Sequence, residues 1–144
     1  METNKFIRQL TVFVENQPGR LADIIGILSE GEIDIRALSV ADTTDFGILR
    51  LIVNHPNQAE RELSAAGYTV NQTEVLGIGI DDQPGGLHVA LEALKEANIS
   101  VEYMYAFVSR KVGTAFVIIR VADNAAAREL LQSKGVRILN GEEL

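Results

Sequence analysis

The chain has 144 residues, of which 47% are apolar and 23% are charged, and its net charge is −7. This acidic balance argues against nucleic-acid and anionic-membrane surfaces, which need clustered lysine and arginine, and the absence of cysteine excludes disulfides, thiolate catalysis and cysteine-based metal sites. Because the sequence shows neither a signal-peptide pattern nor an apolar run near the roughly 20 residues of a membrane helix, we expect a cytoplasmic protein.

The first half of the chain predicts six elements in the order β-α-β-β-α-β. Alternating β-branched residues indicate strands, and apolar residues at helical spacing after a Pro-Gly turn indicate the first helix. Proline near the start and glycine near the end bound both helices. The elements are a strand at 6–14, a helix between a turn at 16–18 and Gly31, strands at 34–42 and 46–54, a helix at 56–67 and a strand at 68–73.

The second half repeats this order without an intervening linker, so the sequence predicts two modules, at 1–73 and 74–144. An ungapped register displaced by 66 residues aligns 9–53 with 75–119, and it slips by two afterwards. The predicted elements of the second copy are a strand at 74–81, a helix at 85–97, strands at 99–108 and 112–121, a helix at 123–134 and a short strand at 136–139.

The predicted fold class is α+β, with two ferredoxin-like βαββαβ modules in tandem. Each module is expected to form an antiparallel sheet with both helices on one face. The strands carry apolar residues in both phases, since Leu38 and Val40 alternate with Ile35 and Ala37. A sheet that is apolar on both faces needs a cover, which the other module or a second chain would supply. The pattern therefore predicts association, with a homodimer as the expected form.

A repeated phrase, "QPGRL" and then "QPGGL", lies between the first strand and the first helix of each copy. Proline restricts φ, glycine lets a ligand approach the backbone, and the free N–H groups at a helix N-terminus favour an anion. Asn16 and Asp82 place a side-chain oxygen just before the turn, where it could cap the helix or receive an ammonium group. Such a site suits the two charges of a free α-amino acid. An ordinary turn with a helix cap explains the same residues.

The segments "ENQPGRLADIIGILSEGEIDI" and "DDQPGGLHVALEALKEANISV", together with the βαββαβ order, resemble a pair of ACT domains. These are small regulatory modules attached to many enzymes of amino-acid metabolism. The family pattern is an apolar strand, Asp or Asn, a Pro-Gly turn, Leu, a helix, and then Asn-Ile at the start of the second strand. Here "ANIS" at 97–100 matches that last element, and "GEID" at 31–34 has Glu in place of Asn.

The resemblance implies that a small ligand, usually an amino acid, binds between modules, against the strand-one/helix-one loop of one and strand two of a neighbour. Arg20 would add a carboxylate partner, Gly86 would let a ligand come closer, and Asp82 brings a negative charge where Asn16 is neutral. The two pockets therefore need not be equivalent. The residues that the resemblance assigns to them are Asn16, Gln17, Pro18, Gly19, Arg20 and Leu21 in the first copy, and Asp82, Gln83, Pro84, Gly85, Gly86 and Leu87 in the second.

Three aromatic residues, Tyr103, Tyr105 and Phe107, share one face of a predicted strand. Tyr103 and Tyr105 are therefore candidates for the wall of a ligand pocket that accepts an apolar or aromatic side chain. Packing in a core or an interface explains the same pattern.

The serine, histidine and carboxylate residues form no recognisable catalytic constellation, so we expect no catalysis, no cofactor and no metal. An RNA-binding use of the fold would need aromatic residues on the central strands and a basic sheet, whereas "ILRLIVN" at 48–54 has no aromatic residue. Two functions stay open. One is the sensor that the resemblance implies, which binds a free amino acid and regulates an enzyme of amino-acid metabolism in trans. The other is a protein-interaction module that assembles without a metabolite.

Overall fold

The computed structural model describes residues 6–15, 17–42, 46–108 and 112–141. The predicted β-α-β-β-α-β order appears twice and is confirmed. Where two strands are predicted at 68–73 and 74–81, one long strand, β4, runs through both. The elements are β1 (Ile7–Glu15), α1 (Arg20–Glu30), β2 (Ile35–Asp42), β3 (Phe46–Val53), α2 (Pro56–Ala65), β4 (Thr69–Asp81), α3 (Gly86–Glu96), β5 (Tyr103–Val108), β6 (Thr114–Arg120), α4 (Asn124–Ser133) and β7 (Arg137–Leu139).

The first compact unit comprises residues 8–73 and is called the first module. Its strand order is β2-β3-β1-β4, and the strand pairs β1–β3 and β2–β3 are antiparallel. Both helices bury an apolar stripe against the same face of the sheet, because each has its apolar residues at helical spacing. The buried core joins Ile24 and Leu28 of α1 and Ala59 and Leu63 of α2 to Leu10, Val12, Leu49 and Leu51 of the sheet.

The second compact unit, called the second module, comprises residues 74–141 together with Phe6 and Ile7 among the described residues. Its strand order is β5-β6-β4-β7, again with antiparallel pairing. The core is built in the same way from one face of the sheet and two helices. It includes Leu76 and Ile78 of β4, Val117 and Ile119 of β6, Ala90 and Leu94 of α3, and Ala127 and Leu131 of α4.

The strand pairing places the two-residue slip of the repeat in the hairpin formed by β5 and β6. β1 pairs Leu10 with Leu51, and β4 pairs Leu76 with Ile119. The first strands are thus 66 positions apart, whereas β3 and β6 are 68 apart. The ungapped alignment as far as residue 53 is therefore wrong beyond the hairpin. A shift of two keeps every side chain on the same face of the sheet, so the hydrophobic pattern does not reveal where the slip occurs.

A register shift in β2 explains part of its apolar pattern. Between Ile35 and Ala37 the pairing with β3 is irregular, so Ile35 packs against the helix-side core although it is an odd number of residues from Leu38. Leu38 and Val40 lie on the helix-facing side, yet they are 50% and 52% exposed. Ala37 lies on the opposite face and is buried. The sheet therefore carries apolar residues on both faces, as predicted.

The helices α1 and α3 end in the same way. Glu32 and Asn98 each follow the C-cap residue of their helix directly, and they have φ values of 58° and 60°. The chain then turns back, and the Ile33 N–H donates to the carbonyl of Leu28 at 2.9 Å. Asparagine tolerates this left-handed conformation better than glutamate does. The geometry gives a physical reason for asparagine in "ANIS" and shows that "GEID" adopts the same turn with a less suitable residue.

Candidate functional site

The two Pro-Gly turns share a glycine in the left-handed conformation. Gly19 is the N-cap of α1 with φ 87°, and Gly85 is the N-cap of α3 with φ 92°. A left-handed conformation costs other L-residues about 1–2 kcal/mol. A Cβ added at either glycine would meet no described heavy atom within 4 Å. Backbone conformation, rather than lack of space, therefore favours glycine at both positions.

The turns also repeat their hydrogen bonds. The Gln17 N–H donates to the Glu15 carbonyl at 2.8 Å, and the Arg20 N–H donates to the Gln17 carbonyl at 3.4 Å. In the second module, the Gln83 N–H donates to the Asp81 carbonyl at 2.9 Å. These local bonds close the backbone where each strand gives way to a helix. The first N–H group of each helix is used within the turn, since the Gly86 N–H likewise donates to the Gln83 carbonyl at 3.0 Å. The next N–H groups have no acceptor within the helix itself and can meet an anion.

A cavity of about 320 Å³ lies beside the first turn. Its polar lining consists of three side chains close together in sequence, Glu15, Gln17 and Arg20. Its apolar lining combines the start of α1, the edge strand β2, and the central strands β1 and β3. These apolar residues are Val14, Leu21, Val40, Ile48 and Leu49.

Arg20 is held at this cavity by two neighbours. Its Nη2 atom lies 3.2 Å from Oε1 of Glu15 and 3.1 Å from Oε1 of Gln17. The side chains of Arg20 and Glu15 are 36% and 71% exposed, so the pair is open to solvent. Both contacts use one nitrogen of a group that carries five N–H donors. The cavity therefore has a positive and a negative group beside an apolar wall.

The second turn differs at the position of Arg20, where the chain has Gly86. A Cβ built on Gly86 would overlap the carbonyl oxygen of Asp81. The space left by the missing side chain is therefore filled by the end of β4.

A cavity of about 420 Å³ adjoins the second turn, but its other walls come from a different part of the module than in the first copy. They include Lys134 and Arg137, from the connection between α4 and β7 and the start of β7, in place of the second strand. The two turns share the left-handed glycine, and the cavities beside them differ in their walls and in charge.

The structure brings together only some of the predicted site residues. Gln17, Arg20 and Leu21 line the first cavity, whereas Pro18 and Gly19 are exposed beside it. Asn16 lies outside the described residues. The residues of the second turn that line the second cavity are Gln83, Pro84, Gly85 and Gly86.

The other predicted residues of the second module lie elsewhere. Asp82 is exposed, and its N–H donates to the Gly113 carbonyl at 2.9 Å. The N-cap of α3 is Gly85, which has no side chain to cap the helix. Leu87 is half-buried against the core of the module. Tyr103 and Tyr105 share the face of β5 that points away from the helices, since their partners Arg120 and Ile118 on β6 alternate with core residues.

Sequence reasoning missed Glu15 and Val40 in the first cavity, and Lys134 and Arg137 in the second. Glu15 could have been found as an acidic residue five positions before Arg20, just ahead of the turn. Val40 had no comparable signal, because an apolar residue on a strand usually indicates a core position.

Among the described residues, no helix is long and apolar enough to cross a membrane. In the same part of the chain, no group of three or more His, Cys, Asp or Glu side chains is arranged to hold a metal ion.

Comparisons with known proteins agree on the fold. A crystal structure of protein BT0572 from Bacteroides thetaiotaomicron is 35% identical, with a TM-score of 0.91, and the match covers 98% of this chain and 97% of that one. The regulatory subunit of aspartate kinase from Thermus thermophilus, in a ligand-free form, is 14% identical, with a TM-score of 0.67 and coverage of 92% and 95%. The corresponding subunit from Thermus flavus is 13% identical, with a TM-score of 0.64 and coverage of 92% and 94%.

The two aspartate kinase subunits are similar in fold alone at these identities. No protein of curated function matches the chain. The family profile described as an ACT domain pair matches residues 5–144, which is nearly the whole sequence. The chain therefore belongs to the ACT domain family, as a pair of ACT domains.

Proposed function

We propose that this protein is a non-catalytic regulator that binds a free amino acid at its strand–turn–helix loops. The observation that carries the proposal is the first cavity, where Arg20 and Glu15 stand beside an apolar wall at the start of a helix. The guanidinium and the N-terminal N–H groups of α1 suit a carboxylate. The Glu15 carboxylate suits an ammonium group. Together they match the charges that every free α-amino acid carries.

Family membership supports the same function. ACT domains are regulatory, and two similar structures are regulatory subunits of aspartate kinase. By analogy, the protein acts in trans on an enzyme of amino-acid metabolism, in the cytoplasm and as a homodimer. The analogy rests on fold and family, so the ligand site carries the physical argument.

The direct test is thermal unfolding of the purified chain in the presence of each of the twenty amino acids at millimolar concentration. A ligand at 100 times its dissociation constant adds about 2.7 kcal/mol to the free energy of unfolding. We expect one amino acid, or a group of related ones, to raise the midpoint clearly. If every amino acid leaves the midpoint unchanged, the sensor function is wrong.

A second candidate function is an assembly module that binds no metabolite. It is favoured by the exposed apolar side chains of Leu38 and Val40 on β2, which is an end strand of its sheet order. Such an edge is a surface that another chain can pair with. Light scattering with and without amino acids separates the two functions. A sensor responds to a ligand, whereas an assembly module has the same mass under all these conditions and is not stabilised by any amino acid.

A further inference from the structure

We infer that the ligand site lies in the first module and that its ligand is an α-amino acid with an apolar aliphatic side chain. This inference rests on the proposed function and adds the module and the chemical class of the ligand. Three features of the first cavity carry it: the pair of opposite charges, the apolar wall, and their placement at the helix start and second strand, which the second module does not repeat.

The charges favour a ligand without net charge. Arg20 and Glu15 are already paired at 3.2 Å, so the site as a whole is balanced. A zwitterion can exchange with this pair, its carboxylate meeting the guanidinium and its ammonium meeting the Glu15 carboxylate. Because exposed ion pairs contribute little to stability, the exchange costs the protein little. Among the other described residues of the lining, Gln17 is polar but uncharged, so a third charge on the ligand would meet no opposite charge there.

The remaining walls favour an aliphatic side chain. Leu21 is 42% exposed and Val40 is 52% exposed, and both line the cavity beside the buried Leu49. A ligand that covers these side chains removes apolar surface from water, which is favourable. A polar side chain placed against Leu21, Val40 and Leu49 would lose its hydrogen bonds to water without gaining new ones from these three side chains. The volume of about 320 Å³ is at the lower end of the range of small-molecule sites, roughly 300–1,000 Å³, and suits one small ligand.

The second module lacks this combination in the equivalent place. Gly86 stands where the first module has Arg20, and the missing side chain is replaced by the carbonyl of Asp81. On the second strand, Ala106 pairs with Val117 as Val40 pairs with Leu49, so alanine replaces valine in the wall. The equivalent of Leu21, which is Leu87, packs against the core. The second cavity has its own charged residues, Asp81, Lys134 and Arg137, and its own apolar residues, Ile80, Val89 and Val136. It has no counterpart of Arg20 at the start of the helix, and its described lining takes no residue from the second strand.

The ligand class is tested by isothermal titration of the full chain with L-valine, L-leucine and L-isoleucine, and with L-serine, L-aspartate and L-lysine. We expect the three aliphatic amino acids to bind at least tenfold more tightly than the other three. Isocaproate lacks the ammonium group and isoamylamine lacks the carboxylate, and each is expected to bind at least tenfold more weakly than L-leucine. Preferential binding of a polar or charged amino acid overturns the ligand class but leaves the proposed function standing. If none of the six binds, the ligand class is overturned; if thermal unfolding with all twenty amino acids also shows no stabilisation, the proposed function is overturned as well.

The assignment of the ligand site to the first module is tested with matched variants of exposed residues that occupy equivalent positions in the two modules. Glu15→Gln and Val40→Thr alter the first cavity, whereas Asp81→Asn and Ala106→Ser alter the equivalent places of the second module. We expect each first-module variant to weaken L-leucine binding at least fivefold and each second-module variant to change it less than twofold. The unfolding midpoint without ligand reports whether each variant is folded. Equal or greater weakening by Asp81→Asn, or no effect of Glu15→Gln and Val40→Thr, overturns the assignment to the first module.

Discussion

In the second module, Gly86 lies so close to the carbonyl oxygen of Asp81 that a Cβ at this position would overlap that oxygen. In the first module the same position belongs to Arg20, whose guanidinium lies 3.2 Å from the Glu15 carboxylate. One copy of the repeated turn is therefore closely packed on its own strand. The other presents a charged side chain at a cavity.

We expect Gly86→Ala to destabilise the protein, because the overlapping atom belongs to the backbone and cannot rotate away. Overpacking of this kind costs about 1–3 kcal/mol. Urea unfolding measures the change. Gly26→Ala is the control, since Gly26 lies in an exposed part of α1 and an added Cβ meets no described atom within 4 Å. That change should stabilise α1 by about 0.5–1 kcal/mol. Equal effects of the two substitutions would contradict the close packing of Gly86.

The turn that follows α1 offers a stabilising substitution. Glu32 has φ 58°, and the equivalent residue of the second module is Asn98 with φ 60°. Because asparagine tolerates the left-handed region, Glu32→Asn should raise the free energy of unfolding by about 0.5–1 kcal/mol, a part of the usual 1–2 kcal/mol strain. The reverse exchange, Asn98→Glu, should lower it by a similar amount. Chemical denaturation of both variants checks the prediction, which fails if they shift stability in the same direction.

Substitution of the turn glycine must allow for its backbone conformation. Gly19 has φ 87° and open space around its missing side chain. Gly19→Val should therefore cost at least about 1–2 kcal/mol from backbone strain, whether or not the turn binds a ligand. Gly19→Asn should be much less costly and is the better probe of the binding site. Thermal unfolding of both variants without ligand measures the difference, and equal midpoints would contradict the left-handed geometry.

The charge on Arg20 should matter more for ligand binding than for folding. Because the Arg20–Glu15 pair is exposed, Arg20→Gln should change the free energy of unfolding by less than about 1 kcal/mol. The same variant should lose most of the stabilisation that L-leucine gives the parent protein. Thermal unfolding with and without L-leucine gives both quantities. Full ligand-induced stabilisation in the variant would exclude Arg20 as the carboxylate partner.

Most of the fold followed from local patterns in the sequence. Pro56 begins α2, as the sequence predicts, because proline restricts φ and needs no N–H partner in a first turn. The glycines of the two Pro-Gly phrases stand at the starts of α1 and α3. These features act over a few residues, so the twofold β-α-β-β-α-β order could be predicted without knowledge of the packing.

The composition of the cavities could be predicted only in part. The repeated phrase points to Arg20 and Leu21, but Val40 joins them from a separate strand. The shared strand face makes Tyr103 and Tyr105 candidates for a pocket wall, and strand pairing directs that face away from the helices.

The order of strands and helices, the repeat and the two glycine turns follow from the sequence, because each depends on backbone preferences of neighbouring residues. Which residues from distant segments share a cavity depends instead on how the strands pair. Strand pairing sets those neighbours, and a slip of two residues between β3 and β6 leaves the alternation of faces unchanged. The same turn could therefore acquire an arginine and an apolar wall in one copy, and a close backbone contact at Gly86 in the other.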